Sequence, residues 1–231
     1  MLDRYYYLAS LPALGELGSE PPMGFSELLE HLSDSRQRYE LVGVLFLLDD
    51  LLQREAFLAG ELDEVDPTVF SIQQARNESP LPEYLAGNSP TDAKSTLGVA
   101  ADRLWDAYFH YALEVARRLN NRFLEAWVIF EVTLRNALVT ARAKRLGLDE
   151  KDYVVATDLA GSGEELAALV SEWSAAATPL AGQQVLLRGR WAWLIEHDAW
   201  FSFRDDELAA YAARLMLLRQ WERIAASEAG R

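Results

Sequence analysis

From Val99 to Leu146 the apolar residues keep a helical period almost throughout, and that stretch constrains the fold more than any other. Leu104, Trp105, Tyr108, Tyr111, Ala112 and Val115 recur at helical spacing, so they share one face of a helix. Phe123, Leu124, Trp127, Val128, Phe130, Leu134 and Leu138 follow. A helix apolar on most of its sides is a buried one. Asn120-Asn121 either breaks the run or lies inside one very long helix. The same period predicts a helix over 38–59, from Leu41, Leu45, Leu48, Leu52 and Ala56, and two more over 182–197 and 205–227. The short hinge 198–204 makes the last two antiparallel neighbours, with Trp191, Leu194, Leu215 and Leu218 buried between them. The fold class that follows is all-α: an irregular helical bundle with long antiparallel helices, in two lobes.

Shorter signals place the boundaries. Tyr5-Tyr-Tyr-Leu-Ala-Ser-Leu-Pro12 is either a strand or a helical turn. Ser26 is placed to cap a short helix reaching about Leu32. Gly60 and Gly147 stop the helices before them, and Arg142, Lys144 and Arg145 complement a helix C-terminus. Residues 61–78 hold another short helix. Ser162-Gly-Glu-Glu165 has capping-box spacing, which predicts a helix to about Ala177, ended by Thr178-Pro179. Residues 79–90 carry three prolines and Gly87-Asn88, and no regular element survives that. This linker separates an N-terminal lobe, 1–90, from a main helical bundle, 91–231.

Charge changes at the same place. The formal net charge is −14, and residues 1–90 hold 16 of the 36 acidic residues but only 5 of the 22 lysines and arginines. Nucleic acid is excluded as a partner, because phosphate binding needs a basic face. An anionic membrane surface is disfavoured for the same reason. The acidic residues Glu61, Asp63, Glu64 and Asp66 form either a solvated surface or a face for a basic partner. No basic stretch followed by an apolar core opens the chain, and no apolar run has bilayer length, so a cytoplasmic protein is expected.

Catalytic patterns are missing. Without cysteine there is no disulfide, thiolate metal site or thiol nucleophile. His31, His110 and His197 lack helically spaced metal-binding partners, and Glu196-His197-Asp198 point to different helix faces. No nucleophile elbow, P-loop or dinucleotide fingerprint occurs. Asp49-Asp50 and Asp205-Asp206 are adjacent pairs, poorly placed for acid–base work on one bond. No enzyme, cofactor or metal is expected. The tryptophans Trp191, Trp193, Trp200 and Trp221 form a packed core, a docking surface or, less simply, a stack for a planar ligand. Arg135, Asn136 and Arg142 sit on the most apolar helix. They either satisfy buried groups or line a cavity or interface, and the motif around Asn136 and Arg142 is expected to be buried. One internal echo exists: Leu47-Leu-Asp-Asp-Leu-Leu-Gln53 and Phe130-Glu-Val-Thr-Leu-Arg-Asn136 each put an acid near the middle of a buried helix.

Tyr5-Tyr-Tyr-Leu-Ala-Ser-Leu-Pro-Ala-Leu14 resembles the opening signature of a bacterial family of uncharacterised proteins. The likeness continues through Phe123-Leu-Glu-Ala-Trp127 and residues 140–149, and is strongest in Trp191-Ala-Trp-Leu-Ile-Glu-His197 and Leu215-Met-Leu-Leu-Arg-Gln-Trp221. Residues 61–96 do not share it. That family is typically encoded among the subunits of bacterial V-type ATPases, in clusters lacking the usual C/d subunit, and its members look like divergent, shortened relatives of that subunit. In C/d subunits, all-helical repeats form a socket between the membrane rotor ring and the central shaft. The run from Glu131 to Gly147 is similar to the repeat motif there, which puts Asn136, Arg142 and Lys144 on motif positions. The chain departs from the pattern twice: Leu52 stands where a matching repeat in the first lobe would carry asparagine, and the chain is much shorter than a three-repeat socket.

The resemblance implies a non-enzymatic connector of a bacterial V-type ATPase, active in ion transport and held peripherally at the membrane through the complex. Its partners would be the shaft and ring subunits. The motif residues Asn136, Arg142, Lys144, Trp191, Trp193, His197 and Trp221 would serve structure or interface. The alternative is an assembly factor or regulator absent from the finished motor. An enzyme with an unrecognised helical site is a third reading.

Overall fold

The computed structural model describes residues 7–86, 100–198 and 204–229, and every regular element among them is helical. In chain order the α-helices are α1 (Phe25–His31), α2 (Arg36–Leu58), α3 (Ile72–Ala75), α4 (Ala100–Arg118), α5 (Arg122–Leu146), α6 (Ala167–Ala175), α7 (Pro179–Glu196) and α8 (Asp205–Ala229). Short 3-10 turns lie at Glu83–Leu85, Glu150–Asp152 and Glu164–Leu166. Residues 7–10 are also helical, so the opening apolar run is a helical turn where it is described. Tyr5, Tyr6 and Trp200, like residues 87–99 of the linker region, lie outside the described residues. None of the described helices is long and apolar enough to cross a membrane.

The caps follow local chemistry, with three departures from the sequence reading. Asn120-Asn121 breaks the long run: Asn120 takes φ 51° and the Asn121 side chain accepts the Leu124 N–H at 2.8 Å, capping α5. Gly147, at φ 69°, ends α5 in the left-handed conformation that glycine tolerates best. Thr178 ends nothing; its hydroxyl accepts the Ala181 N–H at 3.1 Å and Pro179 opens α7. The N-cap of α1 is Gly24 rather than Ser26, with the Glu27 carboxylate reaching back to the Gly24 N–H. The Ser162 capping box does not form, because Gly163 takes the cap position at φ 71° and a 3-10 turn precedes α6.

Residues 1–78 and 177–231 make one compact unit, and residues 79–176 make the other. The sequence suggested one division, at the linker 79–90, with everything after it in a single bundle. The structure divides the chain there and again at Ala177, so that α7 and α8 join the N-terminal segment. Periodicity shows that a helix has an apolar face but not which helix covers it.

In the first unit α8 packs against both α2 and α7. Leu41, Leu45 and Leu48 of α2 and Leu208, Leu215 and Leu218 of α8 are almost wholly buried. Ala209, Ala210, Ala212 and Ala213 of α8 are buried too, and small residues let neighbouring helices approach closely. In the second unit α4 packs on α5. Trp105, Tyr108 and Phe109 of α4 and Phe123, Leu124 and Trp127 of α5 are buried. The burial of α5 is one-sided in sequence. It is dense up to Leu134, and thereafter Ala143 is the one fully buried residue. The apolar period suggested burial as far as Leu138.

Trp191, Leu194, Leu215 and Leu218 are all buried. Leu218→Ala leaves a cavity in the most enclosed part of α8, and the expected loss is about 2–5 kcal/mol in urea or thermal unfolding. A variant that unfolds with the parent would refute this packing.

Candidate functional site

Among the described residues, side chains of α2 and α5 hold loop backbone by paired hydrogen bonds. On α5, the Asn136 amide Nδ2 donates to the Val155 carbonyl at 2.7 Å, and the Val155 N–H donates to Asn136 Oδ1 at 3.0 Å. One side chain thus satisfies both backbone groups of a buried loop residue, as a strand neighbour would. One turn earlier, Thr133 Oγ1 donates to the Ile129 carbonyl and accepts the Gly161 N–H at 2.8 Å. From α4, Asp106 accepts the Ala156 N–H at 2.8 Å. Ala156 takes φ 43°, so the loop turns sharply where three helix side chains hold its backbone.

The first unit repeats the device. The Gln53 amide donates to the Asp66 carbonyl at 3.2 Å and accepts the Asp66 N–H at 2.9 Å. One turn earlier, Asp50 accepts the N–H groups of Thr68, Val69 and Phe70 at 2.7–2.8 Å. In the register of the internal echo Asp50 matches Thr133 and Gln53 matches Asn136. The repeat residue is therefore Gln53, an amide one methylene longer, and not Leu52, which is 36% exposed. The signal lay in the echo itself, in the i, i+3 pair of polar residues on a buried face.

Asp49 and Asp50 are both fully buried. Asp49 accepts from the Gln53 and Gln220 amides, each at 2.9 Å, and from Arg223, so it fastens α2 to α8. Burial pushes the Asp50 carboxyl up to about 6, against the pull of its three N–H donors, with the Asp49 charge adding to the rise. Arg54 donates to the carbonyls of Gln74 and Ala75 and to Asn77, which holds α3 against α2.

The remaining expected residues scatter. Arg135 pairs with Asp102 at 3.4 Å and lies 4.5 Å over the Trp105 ring, a stabilising role within the core edge. Arg142 is exposed, 5.6 Å over Trp173, so the expectation of burial fails for it. It falls beyond the buried part of α5. Lys144 is exposed at the edge of a groove. In the first unit Trp191 is core, beneath Arg214, which pairs with Asp198 at 2.8 Å. Trp193 stacks on His197 at 3.9 Å, and Ile195 of the same helix is 50% exposed. Trp221 lies under Arg188 and lines, with Glu16 and Leu17, a shallow recess of about 410 Å³. The aromatic segment is therefore part core and part surface. Glu61, Asp63, Glu64 and Asp66 are all exposed around the buried Val65. No three metal-ligating side chains gather among the described residues.

A family model described as "Protein of unknown function (DUF2764)" matches residues 1–230. The chain belongs to that family. No curated protein and no solved structure matches it. Of the motif positions that the resemblance picked out, Asn136 is a backbone clamp with a counterpart in Gln53, whereas Arg142 and Lys144 are exposed.

Two outcomes test the clamps. Asn136→Ala or Gln53→Ala leaves a loop N–H and C=O unpaired, with an expected loss of about 1–3 kcal/mol each in denaturant unfolding. Arg142→Ala should cost far less, as exposed changes do. The second outcome is pH-dependent. His110 Nδ1 donates to the Asp106 carbonyl at 2.8 Å and Nε2 lies 3.2 Å from Asp158. Burial pulls the His110 pKa down, but those bonds and the two carboxylates outweigh it and the net shift is upward. A raised folded-state pKa stabilises below the ordinary histidine value of about 6.5, and that gain is lost as pH rises through the folded value. His110→Gln should therefore lower the melting temperature more at pH 5.5 than at pH 9. An equal drop at both would show that the charge contributes nothing.

Proposed function

We propose that the chain is a non-enzymatic connector subunit of a bacterial V-type ATPase, cytoplasmic and held at the membrane through the complex, joining the central shaft to the membrane rotor ring. The observation that carries this reading is the clamp at Asn136, one of the three residues that the resemblance to the C/d repeat motif puts on motif positions, and its recurrence at Gln53. A part that passes torque between two partners needs loops that do not yield. Fixing loop backbone to the middle of a long helix provides that stiffness without any bond chemistry. The exposed carboxylates Glu61, Asp63, Glu64 and Asp66 suit a basic partner surface, where long-range attraction raises the association rate.

Binding to purified shaft and ring subunits, measured on a surface at low and high salt, tests the proposal. The expected result is binding whose on-rate falls with salt. Replacing the four carboxylates by Asn and Gln should slow association with little change in stability. Binding to neither subunit would reject the connector, and co-purification with partly assembled but not finished motors would favour an assembly factor.

A further inference from the structure

We infer that the groove between α5 and α6 docks an acidic amphipathic segment of a partner subunit, which lays a bulky apolar side chain over Ala137, Thr140 and Ala141 and sets a carboxylate beside Lys144. The inference rests on the connector reading, which supplies the partners. The groove measures about 580 Å³ and is walled on its far side by Gly161 and Val170.

The first unit shows how such a groove is closed. In the register that matches Gln53 to Asn136, Arg54 falls at Ala137 and Phe57 at Thr140. Arg54 spans from α2 to the end of α3, on the carbonyls of Gln74 and Ala75, and Phe57 lies under Arg76 at 5.8 Å. The chain's own large side chains fill that position. In the second unit the two residues are an alanine and a threonine, and the space stays open.

The facing helix bears the mark of the same vacancy. The α6 sequence Ala-Ala-Leu-Val-Ser-Glu-Trp-Ser-Ala is largely apolar, yet none of its residues is buried. Leu169, Val170 and Trp173 are only half-buried. An incompletely covered apolar face is a site for association, and a helix laid in a groove is the common way to cover it. Small residues on the α5 wall admit large side chains from the occupant. Charge fixes the chemistry further. Among the described residues lining the groove Lys144 is the one that is ionised; it is exposed, and no described residue pairs with it. A carboxylate on the occupant completes it.

The test copies the first unit into the second. Ala137→Arg with Thr140→Phe fills the groove, and binding to purified shaft and ring subunits is compared with the parent. The expected result is at least a tenfold loss of affinity for the bound subunit with the circular dichroism and melting temperature retained. Lys144→Glu should weaken binding, most at low salt, while Lys144→Arg keeps it. Amide exchange over residues 160–175 should slow in the complex of the parent. Should the double variant lose helix, Val170→Arg on the opposite wall replaces it. Parent-like binding by the filled variant, with no protection of 160–175, overturns the groove and leaves the connector standing. No binding by the parent overturns both. A parent dimer abolished by the filled variant would make the occupant a second copy of the chain and overturn the partner segment.

Discussion

The side chains that hold loop backbone to the middle of a helix are what the rest of this molecule depends on. A long loop beside a helix leaves N–H and C=O groups without a ladder to join, and burying them unpaired costs about 1–3 kcal/mol per group. Asn136 and Gln53 each offer a donor and an acceptor on one planar amide, so one residue answers both groups of a loop residue. Asp50 and Thr133, one turn away, extend the hold along the loop. Loops fixed in this way let Val65 and Val155 be buried, which adds apolar area to cores that helices alone would leave open.

The two versions differ in electrostatic character. The first unit uses a buried carboxylate, and Asp50 shows the strain of it: desolvation raises its pKa although three N–H groups favour the charge. The second unit uses a neutral hydroxyl at the matching place; its carboxylates Glu131 and Asp102 are buried elsewhere on α5 and α4, and His110, Asp106 and Asp158 cluster nearer the surface. The same difference of side-chain size recurs one position beyond each amide. Arg54 closes the space between α2 and α3, whereas Ala137 leaves the space between α5 and α6 open. A shared framework with unequal filling is how one unit becomes self-contained and the other receptive.

Much of the helical framework was legible in the sequence because helix formation is local. The period of Leu41, Leu45 and Leu48 placed α2 to within two residues at its start and one at its end, and Gly147 ended α5 where its backbone freedom allows. The breaks that failed did so through caps. Ser26 and Ser162 were read as caps from type and spacing and do not cap, and Thr178, read as a stop, caps the next helix, because whether a hydroxyl caps depends on a backbone angle that neighbours decide. The candidate site was legible in half. The echo contained Gln53 and Asn136 at matching places, yet the sequence reading took Leu52 as the counterpart of Asn136, and the loop partners Asp66 and Val155 lie 13 and 19 residues away at a spacing that no local rule predicts.

What the sequence determined by itself is therefore the set of helices, their apolar faces, the excess of acid in the first ninety residues and the polar pairs on α2 and α5. Each of these follows from the spacing or identity of near neighbours. Tertiary structure alone decided that α7 and α8 return to the N-terminal segment, that Trp191 is core while Trp193 is partly exposed, and that α6 stands beside α5 with its large apolar residues only half-buried. Those outcomes turn on which surface fits which. Complementarity between distant segments is a property of volumes and directions that one-dimensional order does not carry.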